Sequence, residues 1–352
     1  MSLKFFPFVF LALFFFSLIT VAQNYNCTVE GRVISQSSGK PLEDVNVYIS
    51  NTEWGSTTNK DGYFKIGPLP YGNHTVVASV VGYKSKAISV TIKDGKTGEV
   101  NFYLEESSYK LNTVLVTGKI PKDWKDNLKK FKKYFLGQGP YSDECKIINP
   151  EVINFTRDKS GDLMASASQP IMIVNDYLGY KIRCDLDNFE FDKESQIFQF
   201  VVNTYYKELK DTAGNLKNRW TKNREEAYYG SVTDFIKSLI NNTYHDEGFR
   251  VYYGNNFKRS MYQSFFELDK PIIKKINDNY FELNFNGYLR IEYDSDIDHK
   301  TKVSLITLNY PDVLLDKFGY PVVELPYTVY GEWAHNGMAN MLPKYYNPEE
   351  EK

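Results

Sequence analysis

The side chains from which a hydrolytic or metal-dependent site would be drawn are sparse in this 352-residue chain, which has four histidines and three cysteines. His74, His245, His299 and His335 fall in no His-x-x-Glu or His-Glu-x-x-His spacing. Zinc hydrolysis needs such a spacing to set two ligands and a general base on one face. Tyr229-Gly230-Ser231-Val232 lacks the second glycine of a nucleophile elbow, so Ser231 reads as structural. Cys145 could meet a histidine only through the fold. Two short acidic runs resemble the start of a calcium loop. In the first, Lys60 stands between Asn59 and Asp61, among the candidate oxygens. The second, from Asp294, has His299 where the loop needs glycine and Leu305 where it needs glutamate. Both read as turns. The 44 acidic residues offer too many pairs to choose two for glycoside hydrolysis, and no glycine-rich phosphate loop is present. No catalytic residue, metal ligand or cofactor is assigned. A formal net charge of −2 supplies no field for nucleic acid.

Two weaker constellations remain. Arg224, Tyr228 and Ser231 are the candidates for a pocket in the second half of the chain. Cys145 and Cys184 could form a disulfide in an oxidising compartment, worth roughly 4 kcal/mol in the chain-entropy model. Free buried thiols are the equal alternative. Cys27 follows Asn26 rather than a small residue at the point of cleavage, so it is not read as lipidated.

The elements that must position these residues begin after a leader. Residues 1–22 join Lys4, an apolar run from Phe5 to Leu18 and a small-residue end at Ala22, which is the pattern of a secretory signal peptide. From 27 to 105, apolar residues alternate with polar ones: Val29/Val33, Val45/Val47/Ile49, Phe64/Ile66, Val76/Ala78/Val80, Ile88/Val90/Ile92 and Val100/Phe102/Leu104. Period two marks strands with one face on a core. Turn residues separate them, Asp61-Gly62 reading as a hairpin tip. This is a β-sandwich. Residues 106–120 read as a linker or strand. Pro121 to Leu136 predicts a helix with Trp124, Leu128, Phe131 and Phe135 on one face and lysines over the rest. Such a helix can lie on an anionic membrane or dock on a sheet, and docking is the expectation. Residues 121–346 read as a mainly antiparallel α+β domain with one helix over about 222–241, and 347–352 as an acidic tail. No stretch after the leader is apolar and long enough for a transmembrane helix.

Several separated motifs carry a resemblance. Gly31-Arg32-Val33, Gly39-Lys40-Pro41-Leu42-Glu43-Asp44-Val45, Gly55-Ser56-Thr57-Thr58, Asp61-Gly62-Tyr63-Phe64, Leu69-Pro70-Tyr71-Gly72 and Val81-Gly82-Tyr83 are similar to the carboxypeptidase-like regulatory domain. That module is a transthyretin-like sandwich of secreted and outer-membrane proteins of Bacteroidetes. The resemblance implies a non-catalytic accessory module, related in fold to some carbohydrate-binding sandwiches, and brings no active-site residues. Motifs further on, among them Cys145-Lys146-Ile147-Ile148-Asn149-Pro150, Tyr228-Tyr229-Gly230-Ser231 and Gly331-Glu332-Trp333, resemble a group of Bacteroidetes proteins that begin with the same module. Asp211-Thr212-Ala213 resembles the O-glycosylation triplet of such envelope proteins, making Thr212 a candidate acceptor. The segment Leu111 to Gly118 is similar to the one that precedes the plug of TonB-dependent receptors. The chain beyond Gly118 is too short for a barrel of about 22 strands.

The sequence therefore reads as a non-enzymatic exported envelope protein, periplasmic, outer-membrane-associated or extracellular. Its sandwich accompanies a domain that binds a protein or glycan. A hydrolase in the second domain and an accessory partner of a TonB-dependent uptake system are the alternatives.

Overall fold

The computed structural model describes residues 25–107, 123–212, 214–254, 266–268, 270–295 and 299–351. The leader, nearly all of the 106–120 junction, Pro121, Ala213 and Asp296 to Asp298 lie outside the described residues. Strands dominate and helices are few.

Eight strands make the N-terminal sandwich: β1 (Tyr25–Ser35), β2 (Asn46–Ile49), β3 (Gly55–Thr57), β4 (Tyr63–Pro70), β5 (Gly72–Ser79), β6 (Lys86–Ile92), β7 (Thr97–Glu99) and β8 (Phe102–Leu104). One sheet holds β4 beside β1, with β7 and β8 pairing successive stretches of β1; the other runs β3-β2-β5-β6. The alternating apolar residues meet between the sheets, where Val29, Val47, Phe64, Val76 and Phe102 are fully buried. The Asp61-Gly62 segment corrects the hairpin expectation. Asn59 Oδ1 accepts from the backbone N–H groups of Asp61 and Tyr63, at 3.0 Å each, so a tight turn is present. Yet β3 pairs with β2 and β4 pairs with β1. The turn carries the chain from one sheet to the other instead of folding a strand back on its neighbour.

Behind the sandwich lies a sheet of β9 (Cys145–Ile147), β10 (Ile153–Arg157), β11 (Leu163–Ala167), β12 (Ile171–Asn175), β13 (Tyr180–Phe191) and β14 (Phe198–Glu208). All of its pairings are antiparallel. Helix α1 (Trp124–Phe135) docks its apolar stripe here: Phe131 stacks on Phe135 with ring centroids 4.5 Å apart and tilts against Phe189 at 4.7 Å. The disulfide expectation fails on this sheet. Cys145 lies opposite Asn175, and Cys184 opposite Ile171, on the two flanks of β12. Two strand spacings, about 10 Å, separate them before the offset along β12 is added. A disulfide tolerates roughly 7 Å between Cα atoms. All three cysteines are buried free thiols, and burial pushes Cys145 up to about 12. A thiol held neutral in this way is a poor nucleophile.

The expected helix over 222–241 is two helices, α2 (Lys217–Tyr228) and α3 (Val232–Asn241). Gly230, at φ +77°, breaks the run, and Ser231 caps α3 by accepting from Asp234 N–H at 3.1 Å. The Asp234 carboxylate accepts in return from Gly230 N–H at 2.7 Å. A third core gathers Phe235, Leu239 and Trp333 around the sheet of β15 (Phe249–Gly254), its short edge strand β16 (Phe266–Glu267), β19 (Tyr288–Asp294), β20 (Thr301–Leu308) and β22 (Tyr327–Gly331). Beside it sits a three-stranded sheet of β17 (Ile273–Lys275), β18 (Tyr280–Leu283) and β21 (Val313–Asp316).

The sandwich is bolted to the sheet behind it. Strand β2 is buried on both faces because Tyr48, on the outer one, packs on Tyr205 of β14. Its hydroxyl donates to Asp185 Oδ2 at 2.6 Å. Ser79 and Ser85 donate to the other carboxylate oxygen at 2.7 and 2.5 Å, and Arg183 Nε stands 3.6 Å from the same side chain. Backbone groups join too: Asn51 N–H donates to Thr204 O at 2.7 Å and Tyr206 N–H to Thr52 O at 2.9 Å. A buried carboxylate costs several kcal/mol unless its oxygens are satisfied. Here three hydroxyls satisfy Asp185.

Candidate functional site

The three pocket candidates do not converge. Arg224 is 3% exposed. Its Nε donates to Leu178 O at 2.8 Å, its Nη1 reaches Glu208 and Glu351 at 2.6 Å each, and its guanidinium covers the Tyr180 ring at 4.1 Å. It is a clamp that ties the last residues of the described chain to α2 and β14. The segment read as an acidic tail is thus engaged through Glu351. Tyr228 and Ser231 face two different concavities, one on each side of the α2–α3 junction. Thr212 is exposed in a turn held by Asp211, whose carboxylate accepts from Gly214, Leu216 and Lys217 N–H.

The larger cleft has a volume of about 320 Å³ and is walled by Tyr141, Glu226, Tyr229, Tyr293, Glu332 and His335. Its shape depends on two close approaches. At Gly230 an added Cβ would stand 2.4 Å from the Tyr293 ring, so only glycine lets that ring lie against the junction. At the crossing of 137 with 337 a Cβ on Gly337 would meet Gly137 N at 2.5 Å. That crossing lets Gln138 N–H donate to His335 O and Met338 N–H to Phe135 O, at 2.9 and 2.8 Å. Trp333 forms part of the lining, and its indole N–H donates to Gly230 O at 2.9 Å. His335 Nδ1 is 3.8 Å from Glu332 Oε2, and both side chains are exposed. The buried Asn340 Oδ1 meets no donor among the described residues.

A smaller cleft of about 240 Å³ opens on the other side, walled by Tyr228, Lys237, Lys317, Phe318, Tyr345 and Tyr346. Burial pushes the Lys237 ammonium down to about 8 and the neighbouring Asp234 carboxyl up to about 7. Among the described residues no group of three histidine, cysteine or acidic side chains is gathered as a metal site would need.

Residues 29–116 match the family model of the CarboxypepD_reg-like domain. The N-terminal sandwich is a CarboxypepD_reg-like domain. The match ends before α1, and no lining residue of either cleft lies within it. No curated protein matches the chain. Among solved structures, the chain is similar to the 5-hydroxyisourate hydrolase of Klebsiella pneumoniae, with 20% identity over 23% of this chain and 92% of that one and a TM-score of 0.21. It is similar to BcpA, the major pilin subunit of Bacillus cereus, with 12% identity over 23% and 30% of the two chains and a TM-score of 0.20. The Bacillus anthracis TIE protein matches with 12% identity over 52% and 31% and a TM-score of 0.21. Values this low carry nothing about activity from those proteins to this one.

Neither cleft was readable in advance. Of the residues at the larger one, Ser231 was singled out by its neighbours and His335 by its rarity. Tyr141 and Glu226 come from distant segments and have no linear signature, and Glu332 stands in the Gly331-Glu332-Trp333 motif, which says nothing of a cleft.

Proposed function

We propose that this is an exported, non-enzymatic accessory protein of a cell envelope, in which a CarboxypepD_reg-like sandwich holds a glycan-binding region in a fixed orientation. The larger cleft is the observation that carries the reading. Tyr141, Tyr229 and Tyr293 supply ring surface for the C–H faces of a sugar, and Gln138, Asn336 and Asn340 supply amide groups for its hydroxyls. The family of the sandwich and the leader-like residues 1–22 support export to an envelope, in keeping with the Bacteroidetes-like motifs.

The test is calorimetric titration of the mature protein with a panel of neutral oligosaccharides, repeated on Tyr229→Ala. Binding to a member of the panel, weakened at least about tenfold by the substitution, is expected from the loss of one stacking ring. A panel without binders, or affinity indifferent to Tyr229, would overturn the glycan reading. Mass spectrometry of the envelope-fraction protein should find residues 1–22 removed.

A further inference from the structure

The smaller cleft presents a different chemistry from the larger one. Two of its walls are lysines that have no carboxylate within 4 Å among the described residues. Lys237, on α3, has its Nζ 5.0 Å from the centre of the Tyr228 ring and 5.8 Å from that of Tyr320. Lys317, just past β21, has its Nζ 3.3 Å from the Tyr71 ring of the sandwich and 4.9 Å from Phe318. An ammonium has three donors, and a ring face offers it an electrostatic contact but no lone pair. The acidic side chains close by are already occupied. Asp316 accepts from the third lysine, Lys344, at 2.9 Å and from the N–H groups of Phe318 and Tyr320. Asp234 is held by Gly230 N–H at the start of α3. Glu350 accepts from Asn347 Nδ2 at 3.2 Å. Lys344 forms an ion pair within the fold, whereas Lys237 feels Asp234, Asp316 and Glu350 only from beyond ion-pair distance and Lys317 has no ion pair among the described residues.

The rest of the wall is aromatic and amide, with one aliphatic side chain, Ile240. Tyr228 and Phe318 are half-buried rings at the cleft, Tyr345 and Tyr346 pack behind them, and Asn241 brings an exposed side-chain amide to the lining. The rigidity of the wall is built in: Phe318 meets Tyr345 edge-on at 4.8 Å, Tyr228 packs on Tyr346 at 5.8 Å, and Gly319 lies against the backbone and stem of Lys237. Preorganised ring faces with two lysines and an amide on the same lining suit a pyranose that carries a carboxylate. The ring faces take its C–H surface, the lysines its negative charge and Asn241 a hydroxyl. A volume near 240 Å³ suits a single sugar ring better than a folded peptide segment.

We infer that this cleft is a second, separate site that recognises a uronate residue of an acidic polysaccharide, with Lys237 and Lys317 as its carboxylate-binding pair. It shares no wall residue with the larger cleft. Its fate is therefore independent of the neutral-glycan reading.

The full-length mature protein is titrated with a pectic oligogalacturonate and an alginate oligouronate, and then with their methyl esters, which keep the ring and remove the charge. An acid form should bind at least about tenfold more tightly than its ester. Lys237→Met and Lys317→Met should each remove most of that difference, and Lys129→Met, an exposed lysine of α1 that lines neither cleft, should leave it in place. Circular dichroism melts establish that each variant is folded, and Lys317, outside any helix or strand, is the safer of the two. Equal binding of acid and ester, no binding of either acid, or binding of the acids that neither lysine variant changes would each overturn the inference. Displacement by poly-glutamate at the same carboxylate concentration would overturn the assignment to a sugar, because the site would then be reading charge alone.

Discussion

At the scale of single residues, His74 governs how the sandwich responds to acid. It is 2% exposed. Its Nε2–H donates to Pro70 O at 2.8 Å, and its buried Nδ1 meets no hydrogen-bond partner among the described residues. Burial therefore pushes the imidazole down to about 4. The unfolded chain takes up this proton near pH 6.5, and the folded one not until about pH 4. The unfolded state binds more protons across that window, so the neutral imidazole's contribution is complete above about pH 6.5 and fades down to about pH 4. The span is up to about 3 kcal/mol. Asp234 works in the opposite sense, because its carboxyl is pushed up to about 7 and stability falls as pH rises towards that value. The comparison must thus be made against the parent protein. His74→Gln keeps a donor for Pro70 O, and urea titrations at pH 4.5 and 7 should give a smaller difference for it than for the parent. Equal differences would count against a neutral buried imidazole.

At the scale of elements, α1 shows which patterns can be read directly. Its stripe of Trp124, Leu128, Phe131 and Phe135 predicted a docked helix, and the helix docks through that stripe, with Trp124 Nε1–H donating to Ile153 O at 3.0 Å. Phe131 is fully enclosed, so Phe131→Ala should cost about 3–5 kcal/mol in equilibrium unfolding, whereas the exposed Lys129→Ala should stay within about 0.5 kcal/mol. A small effect of Phe131→Ala would mean that the helix does not rely on this face. The α2–α3 break was less legible. Tyr228, Phe235 and Leu239 keep a helical spacing across it, and periodicity cannot see that Gly230 must make room for Tyr293 from a strand more than fifty residues away. The Asp61-Gly62 turn failed in the same way. Its local chemistry was right, but which strands flank it was decided by distant pairing, since β1 claims β4.

At the scale of the whole molecule, the decisive residues were the least legible. Tyr48, Ser79 and Ser85 sit at or beside strand positions where polar side chains would ordinarily face water, and Asp185 is one acid among many. Only the fold brings them into one buried cluster. Asp185→Ala would leave three hydroxyls and Arg183 facing an empty place, costing about 3–5 kcal/mol. Calorimetry should then resolve the sandwich as a separate transition from the remainder, where the parent unfolds in one. A single transition at the parent's temperature would argue that the cluster contributes no coupling. The same junction bears on self-association. Strand β14 pairs with β13 on one side, and on the other it meets the Asn51–Thr52 turn, whose backbone hydrogen-bonds to Thr204 and Tyr206. Without the sandwich those backbone groups would stand open at the rim of an eleven-residue strand, a ready template for a second chain. The sandwich thus acts as a cover against fibril-like pairing, and a fragment cut to begin at α1 would be expected to aggregate through the edge it had lost the means to hide.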